Sequence, residues 1–286
     1  MRGMMMWRSN VFLSSIAAMC IWAGNAHAAV LETNEWNNLT QAGWTYTAGR
    51  PVIDASAALP SGGPGLKFIY APGTYTKSTG GGRAEFNGLS GRDIYVGHWM
   101  KFSNGFAWNP VGTKIDYQWV ALTQTAINSV GAFTIRTDTY GSRLAVDVTI
   151  QGNGQFVGIP HTVYGNRPNP FTPGQIYWLE YHVKLNDVTA PNATLSQVIP
   201  NGILEVWIDD VLWLSRNDLR WTDREGQTWK TLQHSAEWGG SGGIIPAEQY
   251  LWVDHTVIST TRIGRPGTTP LVDTTAPRSP TLNIAN

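Results

Sequence analysis

The sequence is almost free of cysteine, and this limits what can hold the fold together. Its one cysteine, Cys20, lies in an N-terminal segment that we expect to be removed. The remaining chain has no thiol with which to form a disulfide, although an exported protein would tolerate one. A chain of this length can bury a sizeable core, so we expect packing to stabilise it.

Charge is also scarce and balanced. Only 14% of the 286 residues are charged, and 20 basic residues offset 20 acidic ones, so the formal net charge is zero. This excludes the basic footprint of a nucleic-acid-binding protein and the polybasic patch of a membrane-surface protein. Glycine (31 residues) and tryptophan (14 residues) are instead well represented, which provides turns and large aromatic surfaces.

The signature motifs of several enzyme classes are absent from the sequence. We find no GxSxG elbow, HExxH helix, phosphate-binding loop or dinucleotide fingerprint. A retaining glycosidase of the jelly-roll type needs two carboxyl groups about 5–5.5 Å apart, which glutamates on one strand face can supply. No strand-like segment carries the ExDxxE or ExDxE pattern. This argues against that class of hydrolase.

The N-terminal segment has the three zones of a secretory signal peptide. Arg2 and Arg8 give a positive start, residues 11–23 are largely apolar, and residues 26–28 form a small-x-small cleavage site. The apolar run is shorter than the roughly 20 residues that cross a bilayer. We therefore predict cleavage after Ala28 and secretion of a bacterial protein to the periplasm or the medium, with no membrane span.

The C-terminal segment has a different composition. Residues 271–286 are rich in proline, threonine and other small polar residues, with too little apolar content to fold alone. They resemble a linker to an extracellular module. Three explanations stay open: the module was lost, the sequence is a fragment, or the segment is a simple tail. The predicted domains are thus a signal peptide (1–28), one folded domain (29–270) and a linker or tail (271–286).

Between the two ends the sequence alternates with a period of two, which is typical of strands with one buried face. In 176–185, Leu179 and Val183 lie on the apolar side, while Glu180 and His182 lie on the polar side. The predicted strands are 83–88, 93–102, 115–124, 131–137, 143–151, 176–185, 203–208, 211–215 and 250–258, with a hairpin turn at 209–210. Without helices between them, they predict an all-β, two-sheet antiparallel sandwich.

Several of these segments follow a recognisable order along the chain. They are 83–85, 93–108 (DIYVGHWMKFSNGFAW), 112–114, 178–185 (WLEYHVKL), 201–209 (NGILEVWID) and 253–260 (VDHTVIST). Together they resemble the concanavalin A-like lectin/glucanase superfold, and within it the jelly-roll polysaccharide lyases and their non-catalytic relatives. The resemblance implies a jelly roll that binds or cleaves a polysaccharide, although a shared superfold does not settle function.

Alternation also predicts which side chains face water and could contact a sugar. Arginine, glutamate and asparagine hydrogen-bond to hydroxyl groups, and tryptophan stacks on the C–H faces of a sugar ring. The predicted glycan-binding residues are Glu85, Asn87, Trp99, Lys101, Arg143, Trp178, Glu180 and Trp207. Our leading hypothesis is a secreted polysaccharide-binding protein with these residues on a concave sheet.

A polysaccharide lyase that acts on a uronate-containing glycan is the second hypothesis. Here His182 would abstract the proton next to the carboxylate, Arg83 or Lys184 would neutralise that carboxylate, and Tyr95 would relay the proton. A structural or adhesion module of a larger surface protein is the third, suggested by the C-terminal segment. The sequence does not indicate an oligomeric state.

The remaining histidines and the acidic residues give weaker indications. His98 and His255 alternate with apolar residues and are predicted to lie in the core, whereas His161 and His234 are predicted to lie in loops without a role. No cofactor is required. A structural calcium ion, which prefers oxygen ligands, is an option at Asp93 or Asp254.

Overall fold

The computed structural model describes residues 30–40, 43–47, 51–73, 83–119, 132–137, 141–149, 162–191, 193–239 and 243–267. The predicted signal peptide, the C-terminal segment, both predicted domain boundaries and His161 lie outside these residues. No helix in the described ranges is long and apolar enough to cross a membrane.

The described strands form two antiparallel sheets. In sheet 1 the hydrogen-bonded order is β13-β12-β11-β6-β15-β4-β3, and β1 also pairs with β15. The strands of sheet 1 are β1 (Val30–Asn34), β3 (Val52–Asp54), β4 (Gly65–Tyr70), β6 (Asp93–Phe102), β11 (Ile176–Lys184), β12 (Gly202–Ile208), β13 (Val211–Leu219) and β15 (Gln249–Ser259). A 3₁₀ turn, Leu195–Gln197, precedes β12.

Sheet 2 lies across the core from sheet 1 and has the order β10-β9-β8-β7-β14-β5-β2. Its strands are β2 (Trp44–Thr47), β5 (Arg83–Phe86), β7 (Lys114–Trp119), β8 (Ala132–Thr137), β9 (Arg143–Thr149), β10 (Thr162–Pro168) and β14 (Thr231–Ser235). The prediction of an all-β, two-sheet antiparallel sandwich is confirmed.

The predicted strands match strands of the structure, whereas β1–β4, β10 and β14 were not predicted. The prediction for 93–102 coincides with β6, and 176–185 coincides with β11 to within one residue. The strand β14, TLQHS, escaped prediction because it carries polar residues on both faces although all five of its residues are buried. Without an apolar face it shows no alternation of apolar and polar residues.

The core between the sheets is built from the apolar positions of the alternating strands. Leu179 and Val183 of β11 and Val206 of β12 are completely buried, as alternation predicted. Tryptophans add much of the remaining volume. Trp36 is fully buried and lies edge-on to Trp44, with 4.6 Å between ring centroids. Large aromatic side chains of this kind contribute most of the buried apolar area in a chain without disulfides.

Three polar side chains lie in the middle of this core. His98 of β6 is fully buried, as predicted, and burial lowers its pKa to about 4. Asp116 of β7 and His234 of β14 are also fully buried. The prediction that His234 lies in a loop is therefore wrong, because β14 carries it between the sheets. The prediction for His255 is wrong as well, since its side chain is 26% exposed and bonded to Glu35.

The predicted turn at 209–210 is confirmed. Asp209 and Asp210 have φ angles of 50° and 65°, the left-handed conformation that a two-residue hairpin of type I′ requires at both central positions. Their carboxylates also accept backbone hydrogen bonds. The Oδ1 atom of Asp209 accepts from the Trp178 amide at 3.0 Å, and that of Asp210 accepts from the Arg265 amide at 3.0 Å.

Packing between the sheets should dominate stability. The substitution Leu179→Ala removes a buried side chain and should lower the free energy of unfolding by about 2–5 kcal/mol. Leu212→Ala is the matched control because Leu212 is 44% exposed on β13, and its effect should stay within about 0.5 kcal/mol. Urea unfolding followed by tryptophan fluorescence measures both. Equal effects would contradict the assignment of this core.

Candidate functional site

The structure divides the predicted site residues between the two sheets. Arg83 and Glu85 lie on β5 and Arg143 on β9, all in sheet 2, and Asn87 directly follows β5. The others lie in sheet 1, on strands β6, β11, β12 and β15: Asp93, Tyr95, Trp99, Lys101, Trp178, Glu180, His182, Lys184, Trp207 and Asp254. Because the core separates the outer faces of the two sheets, Arg83 cannot act on the same sugar as His182.

The outer face of sheet 1 is covered, which corrects the prediction that its side chains face water. Trp178 and Glu180 are completely buried, and His182 and Trp207 are nearly so. The cover is residues 260–267, here called the C-terminal strap. Its backbone amides at 263 and 264 donate to the two carboxylate oxygens of Glu180 at 2.7 and 3.0 Å.

Two arginines of the strap complete the cover. The guanidinium of Arg262 lies 4.7 Å from the ring centre of Trp207, and that of Arg265 lies 5.3 Å from that of Trp99. Such cation–π contacts use the same ring faces on which a sugar would stack. The strap therefore occupies the tryptophan surface that we predicted for glycan binding.

His182 is held on both sides by carboxylates. Its Nε2 lies 2.7 Å from Asp93 Oδ1 and its Nδ1 lies 2.9 Å from Glu205 Oε2, and its ring stacks on Tyr95 with centroids 4.1 Å apart. Burial lowers the pKa of His182, but the two carboxylates raise it by more than burial lowers it, so the net shift is upward. Both ring nitrogens are thus engaged, and the arrangement is that of an ion-paired structural cluster.

Two further residues of the predicted lyase set adjoin this cluster. The Lys184 ammonium lies 3.9 Å from Asp93. The pKa of Tyr95 is raised to about 12, first by burial and then by the carboxylates of Glu205 and Asp93. A tyrosine with a raised pKa stays protonated at neutral pH, so it is a poor general base.

Sheet 2 carries a polar row on its outer face, opposite the core. The strand registers place Glu85 beside Gln233, Gln233 beside Tyr117, and Tyr117 beside Thr134. Thr45 extends the row at one end. Burial raises the pKa of Glu85, whereas the Arg83 charge lowers it, and the net shift is upward. The side chains of this row that the structure describes, Thr45, Glu85 and Gln233, come from three neighbouring strands, and Gln233 is almost completely buried.

A cluster of cations lies beside this row. Glu237, just past β14, is almost buried, and its two oxygens accept from Arg83 Nη2 at 2.9 Å and from Lys114 Nζ at 2.5 Å. Lys114 is also in register with Arg136 of β8. Arg83 and Lys114 keep 21% and 29% of their side chains exposed. Partly exposed guanidinium and ammonium groups can hydrogen-bond to the carboxylate of a ligand.

Sequence reasoning found only part of this surface. Alternation identified Arg83 and Glu85 but missed Lys114, Gln233 and Glu237. The segment 231–237 shows no period-two pattern, and no local signal indicates that it pairs with both β5 and β7. Of the other predicted residues in sheet 2, Asn87 accepts a hydrogen bond from the Thr231 hydroxyl at 2.9 Å, and Arg143, at the start of β9, is exposed.

The two predicted metal ligands lie far apart. Asp254 is in register with Trp99, six residues along β6 from Asp93, which corresponds to about 20 Å. Asp93 is bonded to His182. Asp254 is fully buried, and its Oδ2 contacts the Ser61 hydroxyl, while Oδ1 has no hydrogen-bond partner among the described residues. Burial, with a smaller effect of the Glu35 charge, raises the pKa of Asp254.

No protein-family model matches the sequence, and no curated protein matches it significantly. The fold is similar to that of an alginate lyase from a Chlorella virus, with 13% identity, a TM-score of 0.63, and coverage of 82% of this chain and 100% of that one. It is also similar to an endo-β-1,4-glucuronan lyase from the fungus Trichoderma reesei (15%, TM-score 0.54, 82% and 96% covered). A third structure is the cellulose-induced protein Cip1 (15%, TM-score 0.52, 82% and 99%). The chain therefore has the jelly-roll fold of these polysaccharide lyases and their relatives.

The ion cluster of His182 should make stability depend on pH in a specific window. Because folding raises the pKa of His182, its ion pairs increase the free energy of unfolding. This increase is fully present at pH values below the ordinary pKa of 6.5 and is lost as the pH rises through the folded-state pKa. The lowered pKa of Asp93 contributes stability that is present above 3.8 and is lost as the pH falls through its folded-state pKa. The difference in unfolding free energy between wild type and His182→Gln should therefore peak between these values.

Urea unfolding at a series of pH values measures this difference. Glutamine has the polarity of histidine but no charge at any pH, so it isolates the effect of the imidazolium. A difference that stays constant, or that grows above pH 8 or so, would contradict an ion-paired His182.

Proposed function

We propose that this protein binds an acidic, uronate-containing polysaccharide along the outer face of sheet 2. The single observation that supports this most is the pair of partly exposed cations, Arg83 and Lys114, close to Glu85 on this face. Cations select a carboxylate, and Glu85 supplies a hydrogen-bond acceptor for hydroxyl groups. Secretion, which stays a prediction, would bring the protein to such a polymer.

The structural similarities favour the same class of ligand. Two of the similar structures are named as lyases of alginate and of glucuronan, and both polymers are built of uronic acids. The third, the cellulose-induced protein, bears no such name. At 13–15% identity the likeness shows the fold alone, so the cation cluster must carry the inference about the ligand.

Cleavage by β-elimination on the same face is the second candidate. In this reaction a base removes the proton on the carbon next to the carboxylate, the electron pair forms a carbon–carbon double bond, and the glycosidic oxygen leaves with a proton from an acid. The observation that favours it is the pair of partly exposed cations, Arg83 and Lys114. They would neutralise the substrate carboxylate and so stabilise the negative charge that develops when the proton is removed.

Binding is tested by exchanging a lysine on each sheet for glutamine. Lys114→Gln should weaken binding to alginate or glucuronan about tenfold, since a hydrogen bond between charged groups contributes about 1.5 kcal/mol. Lys184→Gln removes the same charge from the outer face of sheet 1 and should leave affinity unchanged. Titration calorimetry at low and high salt measures both, and binding should weaken with salt.

Two results would contradict the proposed ligand. One is equal affinity of the two lysine variants for the acidic polymers. The other is equal binding of wild type to cellulose, a neutral polymer without carboxylates.

Cleavage is tested by absorbance at about 235 nm, where the unsaturated uronate product of the elimination absorbs. If the reaction occurs on sheet 2, Arg83→Gln should lower the rate at least about 100-fold, because it removes a charge that stabilises the transition state. His182→Gln should retain activity, because His182 lies on the other sheet. Loss of activity only in the His182 variant would contradict this location and would place the reaction on sheet 1. Absence of product from any uronate polymer, with binding retained, would favour binding alone.

We further propose that Asp254 holds the calcium ion considered above. The buried carboxylate of Asp254 and the hydroxyl of Ser61 beside it are oxygen groups of the kind that calcium prefers, and they would supply two of its six to eight ligands. A bound cation would offset the cost of burying this charge.

Calcium should raise the melting temperature of wild type by about 4 °C or more, and Asp254→Asn should abolish this rise. Asp218→Asn is the matched control, because Asp218 is exposed on β13 and pairs with Arg216. Calorimetry with calcium and with a chelator measures the shifts. The same melting temperature with and without calcium would refute the site.

A further inference from the structure

The buried polar cluster between the sheets is used neither by the proposed ligand site nor by the His182 cluster. His98 comes from sheet 1, whereas Asp116 and His234 come from neighbouring strands of sheet 2. All three side chains are completely buried. One ligand atom from each, two imidazole nitrogens and a carboxylate oxygen, lie within 4.8 Å of one another.

Of these two histidines, only His234 has hydrogen-bond partners for its ring nitrogens among the described residues. His234 Nδ1 lies 2.8 Å from Asp116 Oδ1, and its Nε2 lies 2.9 Å from the Thr256 hydroxyl. Neither ring nitrogen of His98 has a hydrogen-bond partner in the described part of the chain, and the same holds for Asp116 Oδ2. Buried polar atoms are rarely left in this state, because each loses its contacts with water and gains nothing.

The unpartnered atoms face each other at a distance that suits a shared ion. His98 Nε2 and Asp116 Oδ2 are 3.6 Å apart, too far for a good hydrogen bond. Two ligands that each lie about 2.0–2.1 Å from a tetrahedral zinc ion are about 3.4 Å from one another. The separation is therefore close to that of two ligands of one ion.

We propose that His98, Asp116 and His234 bind one divalent transition-metal ion, zinc fitting the ligands best, between the two sheets. Imidazole nitrogens favour zinc and its neighbours over calcium and magnesium, which prefer oxygen. Three protein ligands leave a fourth position of the tetrahedron for a small molecule or another buried oxygen. The hydrogen bond from His234 to Thr256 orients the ring, as outer partners of metal-binding histidines commonly do.

The ion would connect β6 of sheet 1 to β7 and β14 of sheet 2. The part of the chain beyond Ala28 has no cysteine, so no disulfide can tie the sheets together, and a metal bridge would have a similar effect on stability. Because all three ligands are buried, the ion would enter during folding, and its role would be structural.

Metal binding is tested with the full-length, untagged chain unfolded in urea and refolded with Co²⁺ or Zn²⁺. We expect about one ion per folded chain by mass spectrometry, a visible absorption band of tetrahedral Co²⁺, and displacement of that band by Zn²⁺. The melting temperature should rise by at least about 4 °C with zinc. Calcium should not displace the cobalt, because it takes oxygen ligands.

Substitutions of the proposed ligands test where the ion binds. His98→Gln and His234→Gln should lose the cobalt band, whereas His182→Gln, a histidine of the outer face, and Asp254→Asn, the calcium-site variant, should keep it. Folding of each variant is checked by circular dichroism. If the core variants do not fold, the cobalt titration of wild type decides alone. A folded wild-type chain without a cobalt band, or a band that persists in folded His98→Gln, would overturn the proposal.

Discussion

The close packing of two sheets across one tryptophan-rich core is the constraint on which the rest of this structure depends. Every strand turns one row of side chains inwards, so each sheet keeps one outer face. Consecutive side chains along a strand thus belong to different environments. Residues on the outer faces of the two sheets are separated by the core and do not share a site, whereas inward-facing residues of both sheets meet in the core.

The outer faces of the two sheets differ in how far they are covered by other segments. On sheet 1 the C-terminal strap covers the tryptophans, and its amides satisfy the buried carboxylate of Glu180. His182, which is nearly buried on the same face, is ion-paired on both sides. On sheet 2 the cations Arg83 and Lys114 stay partly exposed around Glu237. Coverage of one face is thus what directs the search for a ligand site to the other.

The buried charged residues differ in whether their polar atoms have hydrogen-bond or ion-pair partners. Glu180 and His182 are satisfied by hydrogen bonds and ion pairs, so they need nothing further. Asp254 and the His98–Asp116 pair keep buried polar atoms without partners in the described part of the chain. This contrast is the physical reason for proposing cations at the latter two positions and none at the former.

The sequence by itself determined the all-β class, most strand positions from β5 to β15, and the inward-facing set such as Leu179 and Val206, because these follow from local alternation and turn chemistry. It also indicated Arg83 and Glu85 as outward-facing. Only the tertiary structure decided that Arg83 and His182 lie on opposite sheets, that the strap buries Trp178 and Trp207, and that His98 meets Asp116 and His234. Strand order and coverage depend on contacts between residues far apart in the chain, and a period-two pattern does not distinguish an outer face that meets water from one that meets another segment.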